Sequence, residues 1–227
     1  MVIEPIAYIR TSFPEKFGIP RQSGLASNLK ARVVFEPQYR NADAVRGLEG
    51  FSHIWLIWEF SANRKSGWQP TVRPPRLGGN AHMGVFATRS PFRPNPLGLS
   101  CVELESIDAD ASDGPVLVVR GADLMDGTPI YDIKPYLAFS DCHPEAKNGF
   151  AEATKDYQLA VEIDPTYQQE IIAQGCPWDV LCEILSQDPR PAYQNDPERI
   201  YHIDYAEWAI DFIVNNATVC VKKCTRK

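Results

Sequence analysis

The chain has 227 residues, of which 44% are hydrophobic and 23% charged, and its net charge is −6. That length accommodates one large domain or a main domain with a smaller companion, and the composition excludes a disordered chain. The longest strongly apolar run, "IWLIW" at 54–58, is far too short to span a bilayer, and "MVIEPIAYIR" lacks a signal-peptide pattern, so the sequence reads as a cytoplasmic protein.

In chain order, short alternating or β-rich runs recur: "IEPIAYI" (3–9), "KARVVF" (30–35), "HIWLIWEF" (53–60), "MGVFAT" (83–88), "LSCVELESI" (99–107), "PVLVVRG" (115–121) and "YDIKPYL" (131–137). Each is bounded by Gly, Pro, Asn or Asp, and no long helical stripe separates them, which predicts an all-β sandwich or barrel through about residue 140. The connection 61–82 is too long for a hairpin turn. Beyond "SDCHPEAKNGFAEATKD" (140–156) the texture changes. "DPTYQQEIIAQG" (164–175) carries helix start and stop signals, and "PWDVLCEILSQ" holds an apolar helical stripe at Val180, Leu181, Ile184 and Leu185. "RIYHIDY", "WAIDFIV" and "ATVCVKK" then read as three strands with a turn at "NN". The predicted fold class is therefore mainly β: an N-terminal β-barrel over 1–140, followed by a smaller α+β domain over 141–227.

Charge is unevenly spread. Residues 60–102 carry six basic side chains (Arg64, Lys65, Arg73, Arg76, Arg89, Arg93) and no acidic one, inside an acidic protein. Such a window suits an anionic ligand, although a solvated loop paired with acids elsewhere would have the same composition. Within it, "ATRSPFRPNPLG" sets Arg89 and Arg93 among three prolines that forbid a regular helix, so a stiff loop presents them. "FGIPRQSG" repeats the chemistry at Pro20, Arg21 and Gln22; "DGTP" at 126–129 is a tight turn; and "DPRPAY" at 188–193 sets Arg190 near Tyr193, a form suited to gripping and stacking on single-stranded nucleic acid. The Rossmann glycine motif, the P-loop, H-E-x-x-H and G-x-S-x-G are all absent. Six cysteines without regular spacing read as reduced thiols, and neither they nor the four histidines form a metal-ligand pattern.

Together with "ADAVRGLEGFSHIWLIWEF" and "GWQPTVRPPRLGGNAHMGVFATRSPFRPNPLGLSCVEL", these stretches resemble the TsaA-like (TrmO-type) tRNA methyltransferases over most of 1–140 and more thinly beyond. The resemblance implies a β-barrel that binds S-adenosylmethionine without a Rossmann fold, forms a homodimer, and methylates N6 of threonylcarbamoyl-adenosine next to the anticodon of threonine tRNA. It implies no membrane or DNA partner. Carried onto matching positions, its cofactor contacts fall on Pro20, Arg21, Gln22, Arg89, Leu99, Asp126, Gly127, Thr128 and Pro129. A further contact falls on Ser61 and Ala62, where many relatives have a longer polar side chain. Arg73, Arg76, Arg93, Arg190 and Tyr193 are expected to meet the RNA. The acceptor nitrogen belongs to a urea-like group, so transfer calls for a base. Asp126 and Asp188 are the candidates, with Tyr131 and Tyr193 as possible aromatic partners; the bland alternative is turn capping for the aspartates and packing for the tyrosines. Two rivals remain open: a non-catalytic RNA- or nucleotide-binding barrel, which explains the basic window but not "DGTP" beside "PRQ", and an enzyme with the same cofactor and another acceptor.

Overall fold

The computed structural model describes residues 2–227 except 79, 192, 193 and 195, and omits the side chains of 64–66. Six antiparallel strands form a closed barrel: β1 (Ala7–Arg10), β2 (Lys30–Phe35), β3 (His53–Glu59), β6 (Leu97–Asp108), β7 (Val116–Arg120) and β8 (Pro129–Pro135), ordered β1-β2-β7-β6-β3-β8 and closed by the β8–β1 pair. Between them, β4 (Thr71–Val72) and β5 (Met83–Gly84) make a separate two-stranded ribbon inside the basic window. Closure leaves no barrel edge, and alternation fills the interior. Val33, Ile54, Leu56, Val102, Leu117, Val119 and Ile130 point inward and are buried.

The strand expected over 83–88 is shorter than its sequence suggests. Only Met83–Gly84 pairs, and the backbone then winds into a 3-10 turn at Val85–Ala87 that buries Val85 and leaves Phe86 exposed. The Val85 N–H donates to the Pro70 carbonyl, and the prolines that follow have no N–H with which to extend a ladder.

Downstream lie α1 (Ala138–Asp141), β9 (Ala160–Glu162), α2 (Pro165–Ala173), α3 (Trp178–Ser186), β10 (Tyr201–Tyr205), β11 (Trp208–Asn215) and β12 (Thr218–Arg226). Strands β10-β11-β12-β9 form one sheet, with β9 parallel to β12, an element too short to stand out in the sequence. The β11–β12 turn uses Asn216 at φ 55°, a conformation asparagine tolerates. Asp164 caps α2 by accepting from the Tyr167 N–H, with Pro165 in the first turn. The apolar face of α3 packs Leu181, Ile184 and Leu185 against Trp208, Ile210 and Phe212 of the sheet.

This second core also contains Phe13, Ala26 and Leu29, which come from the segment between β1 and β2. Phe13 meets Tyr205 edge-on at 5.3 Å, and the Ala206 N–H donates to the Ser12 carbonyl. Residues 11–29 therefore leave the barrel wall, insert into the C-terminal core and fix the two halves together. No helix among the described residues is long and apolar enough to cross a membrane.

Candidate active site

Alternation along β6 turns Gly98, Ser100, Val102 and Leu104 inward. Near the end of the barrel where β3 leaves and β6 enters, the inward positions stop being purely apolar. Trp58 lies opposite Gly98 in register, and its Nε1 donates to Ser100 Oγ at 2.9 Å. Ser100 in turn donates to Asp123 Oδ1 at 2.5 Å. A bulkier residue than glycine at 98 would collide with the indole, since a Cβ there would stand 2.3 Å from Trp58 Cε2.

Above this chain opens a cavity of about 480 Å³, within the size range of small-molecule and cofactor sites. Eight residues expected to contact cofactor line it: Pro20, Arg21 and Gln22 from the inserted segment, Ser61 and Ala62 after β3, Arg89 from the prolyl loop, Leu99 on β6, and Thr128. Arg89 Nη1 donates to Gln22 Oε1, which joins two of the expected stretches directly. Lys16 secures the turn after β3 by donating to the Ala62 carbonyl at 3.1 Å and to Asn63 Oδ1 at 2.7 Å.

The rest of the "DGTP" turn lies elsewhere. Gly127 adopts φ 73°, which glycine supplies without steric cost, and its N–H donates to the Ile9 carbonyl at 2.9 Å. That geometry sends the Asp126 carboxylate toward β1, where it accepts from the Thr11 N–H at 3.0 Å and stands 3.8 Å from Arg10 Nη1. Pro129 is buried at the start of β8. Asp126, Gly127 and Pro129 thus shape the turn that carries Thr128, and none of them lines the cavity.

Asp188, the other expected base, also lies outside it. Arg190 grips its carboxylate with two hydrogen bonds, Nε to Oδ1 at 2.8 Å and Nη2 to Oδ2 at 2.9 Å, and Tyr157 Oη donates to Oδ2 at 2.9 Å. Burial alone would raise the Asp188 pKa, but the bonds from Arg190 and Tyr157 and the Arg190 charge outweigh it and hold the carboxyl below its ordinary value. A carboxylate held this way is a poor proton acceptor.

Arg21 connects this region to the cavity. It lines the cavity on one side, and on the other its Nη2 donates to the carbonyls of Asp188 (3.2 Å) and Arg190 (3.0 Å). Burial, and secondarily the nearby Arg76 charge, lower its pKa. A neighbouring cleft of about 350 Å³ is lined by Arg21, Arg76, Tyr157, Gln187, Asp188 and Arg190. Arg76 donates to the Thr154 carbonyl at 2.7 Å, and its guanidinium lies 5.7 Å from the Tyr157 ring centre. Arg73 joins Arg21 and Arg190 around a further hollow of about 530 Å³ and donates to His82. Three of the expected RNA contacts, Arg73, Arg76 and Arg190, therefore gather beside Arg21. Arg93 does not: it lines the main cavity, and its Nη1 donates to the Val85 and Thr88 carbonyls, bracing the prolyl loop. Tyr193 lies outside the described residues.

With this geometry established, the comparisons with known proteins are specific. Residues 8–142 match the model of the tRNA-methyltransferase O N-terminal domain, and 156–227 match that of the TrmO C-terminal domain. The chain belongs to the tRNA-methyltransferase O family. It is 44% identical over 215 residues to the tRNA (adenine(37)-N6)-methyltransferase of Escherichia coli K12, covering 93% of this chain and 90% of that protein. A putative S-adenosylmethionine-dependent methyltransferase, RcsF, of Pseudomonas aeruginosa PAO1 is 40% identical over 92% of this chain and 90% of its own length. The crystal structure of TrmO from Pseudomonas aeruginosa superposes with a TM-score of 0.77 at 32% identity, covering 99% of this chain and 98% of that one.

The cavity of this TrmO chain has the chemistry that S-adenosylmethionine requires. Arg21 and Arg89 suit its carboxylate, Pro20, Leu99 and Phe60 offer apolar surface, and Glu59 brings negative charge to the wall. Four of the residues around it were not read from sequence. Trp58 and Ser100 are parts of strands, and Glu59 is 7% exposed and accepts from Tyr131 Oη at 2.5 Å. Asp123 is the fourth. Ser100 left a faint signal, a polar residue at an inward position of an otherwise apolar alternation, whereas Asp123 belongs to no motif.

Proposed function

We propose that the chain is an S-adenosylmethionine-dependent tRNA methyltransferase acting on N6 of adenine 37, and that its acceptor is the threonylcarbamoyl-adenosine next to the anticodon of threonine tRNA. The observation that carries the reading is the convergence of "PRQ", Ser61-Ala62, Arg89, Leu99 and Thr128 on one cavity adjoining an arginine-lined cleft. Bound S-adenosylmethionine supplies an electrophilic methyl group. The chain's own residues bind and orient. Arg89 and Arg21 neutralise the cofactor carboxylate, Pro20, Gln22 and Leu99 shape its bed, and Thr128, Ser61 and Ala62 close the sides. Asp126, Gly127 and Pro129 act by holding the turn. Arg73, Arg76 and Arg190 meet the RNA backbone, which positions the anticodon loop without reading its sequence, while the cleft beside Tyr157 accepts an unstacked base.

In this reading residues 1–140 form the cofactor-binding unit and 141–227 supply RNA contacts, and the protein works as a homodimer in the cytoplasm. The test is mass spectrometry of nucleosides from threonine tRNA incubated with the protein and S-adenosylmethionine carrying a labelled methyl. The expected result is label on threonylcarbamoyl-adenosine, and on no nucleoside of tRNA lacking the threonylcarbamoyl group. Label on unmodified adenosine 37 would refute the finer acceptor, and cofactor binding without labelled tRNA would point to another acceptor.

A further inference from the structure

The proposed reaction leaves a proton to be removed, and neither Asp126 nor Asp188 reaches the cavity. One other aspartate does. Asp123 lines the cavity together with Arg21, Arg89 and Thr128, and its Oδ1 is fixed by the Ser100 hydroxyl, which is fixed in turn by the Trp58 indole N–H. Ser100 and Trp58 are 1% and 7% exposed, so this relay is anchored in the barrel interior.

Resting on the function proposed above, we propose that Asp123 is the general base that accepts the proton of the acceptor nitrogen as the methyl group is transferred. The N–H bond breaks and its proton joins a carboxylate oxygen of Asp123, leaving the electron pair on nitrogen. That nitrogen pair forms the new N–C bond. The pair of the broken methyl–sulfur bond stays on sulfur and quenches the sulfonium charge. The carboxylate charge and the sulfonium charge disappear together, and the carboxyl afterwards returns its proton to solvent.

The electrostatics match that task. Burial raises the Asp123 pKa, opposed by the Ser100 hydrogen bond, the backbone N–H groups of Asp123 and Ser23, and the charge of Arg89, so the group is a stronger base than an exposed aspartate while its oxygens stay oriented. The other charged groups on the same wall are Lys16, Arg21, Glu59 and Arg93. Asp188 differs in that it is shut into an ion pair, its pKa is lowered, and it lies outside the cavity.

The experiment measures single-turnover methylation of threonylcarbamoylated threonine tRNA across pH 5.5–9 for the wild type, Asp123→Asn, Asp123→Glu and Ser100→Ala. It also measures the affinity of each for S-adenosylhomocysteine by calorimetry, and the titration of the Asp123 carboxyl by difference infrared spectroscopy against Asp123→Asn. The expected loss for Asp123→Asn is roughly a hundredfold or more in rate, in line with general-base contributions, with affinity within threefold of wild type and partial recovery in Asp123→Glu. Ser100→Ala removes a bond that favours the carboxylate, so the acid limb of its rate profile should move to higher pH. The carboxyl should titrate above the ordinary aspartate range. A rate for Asp123→Asn within fivefold of wild type with an unchanged profile overturns the assignment. So does a tenfold loss of affinity with a normal rate at saturation, which would make Asp123 the partner of the cofactor's ammonium group. Should Asp123→Asn fail to fold, the Ser100→Ala profile decides, and an unmoved limb overturns the proposal. A wild type that labels no tRNA refutes the proposed function itself, and a wild type that labels tRNA while Asp123→Asn does so equally refutes only the base.

Discussion

Gly98→Ala tests the geometry beneath the cavity, because two simple arguments give opposite signs. Replacing a strand glycine by alanine reduces the entropy lost on folding and should stabilise by about 0.5–1 kcal/mol. Here the new methyl would stand 2.3, 2.4 and 2.7 Å from three atoms of the Trp58 ring, where carbon contacts need about 3.5 Å or more. The indole must retreat by about an ångström, and its surroundings resist. Trp58 is 7% exposed, packs against Phe60 with ring centres 4.3 Å apart, and holds Ser100 through Nε1. Overpacking costs about 1–3 kcal/mol and the strained Trp58–Ser100 bond about 1 more, so the collision wins with a net loss of about 1–3 kcal/mol after the entropy gain. For a chain of this length that corresponds to a midpoint lower by roughly 2–12 °C in calorimetry. The same substitution in a Trp58→Leu background, where the ring is gone, should cost far less, giving a coupling energy of at least about 1 kcal/mol in a double-mutant cycle. A midpoint equal to or above that of the wild type would refute the close approach of Gly98 to the indole.

Arg89→Ala removes a guanidinium from the cavity wall and should weaken S-adenosylhomocysteine binding by about tenfold to a hundredfold, the usual range for a lost charge-assisted hydrogen bond; calorimetric affinity within twofold of wild type would contradict the carboxylate assignment. Asp188→Asn should destabilise the fold at neutral pH by about 1.5–3 kcal/mol, since Arg190 loses its carboxylate partner. The folded-state pKa of Asp188 is lowered, so its stabilisation is complete above the unfolded value of about 3.9 and is lost as pH falls through the folded value. Thermal midpoints of variant and wild type should therefore converge below about pH 4, and a gap that widens in acid would contradict the sign. Arg76→Ala should weaken tRNA binding in filter assays and make its logarithmic salt slope shallower by about 0.7 if the residue meets a single-stranded phosphate; an unchanged slope would remove it from the RNA interface.

Much of the barrel was legible because its cause is local. Alternation in "KARVVF" and "HIWLIWEF" reports one buried face directly, and both strands form there, with β2 spanning the same six residues. The failures have non-local causes. Met83–Gly84 pairs only with Thr71–Val72, a partner that the β propensity of "MGVFAT" does not reveal. The segment 11–29 carries Phe13, Ala26 and Leu29 at no regular period, so nothing in its own pattern assigns it to the C-terminal core. Family resemblance pointed to eight of the residues that line the cavity, yet it could not orient the turn at 126–129. The left-handed Gly127 and the Thr11 N–H that donates to Asp126 decide that orientation, and they carry the Asp126 carboxylate to the outside of the site. Asp123 escaped notice for a related reason: its meaning comes from Ser100 and Trp58, which are 23 and 42 residues away from Asp123 and Ser100 respectively along the chain and adjacent only once β3 and β6 pair.

The placement of Arg21 gives the two halves of the molecule a common element. Its backbone follows Phe13, Phe17 and Ile19, all of which pack on the C-terminal core, so the position of the Arg21 guanidinium is set by that core. Its side chain nevertheless lines the cavity at the barrel mouth and donates to the carbonyls of Asp188 and Arg190. Asp188 itself sits at φ 51°, a left-handed conformation that is uncommon outside glycine and is held here by the Arg190 and Tyr157 bonds to its side chain. Those bonds therefore fix the carbonyls that fix Arg21. An anion drawn to the cleft of Arg76 and Arg190 would act on the same network that positions Arg21 against a cofactor carboxylate. By linkage the two ligands must then affect each other's affinity equally, whichever binds first. Arg76 and Arg89 of the basic window and the distant Asp188 and Arg190 thus meet around one arginine, which is where such coupling would be read.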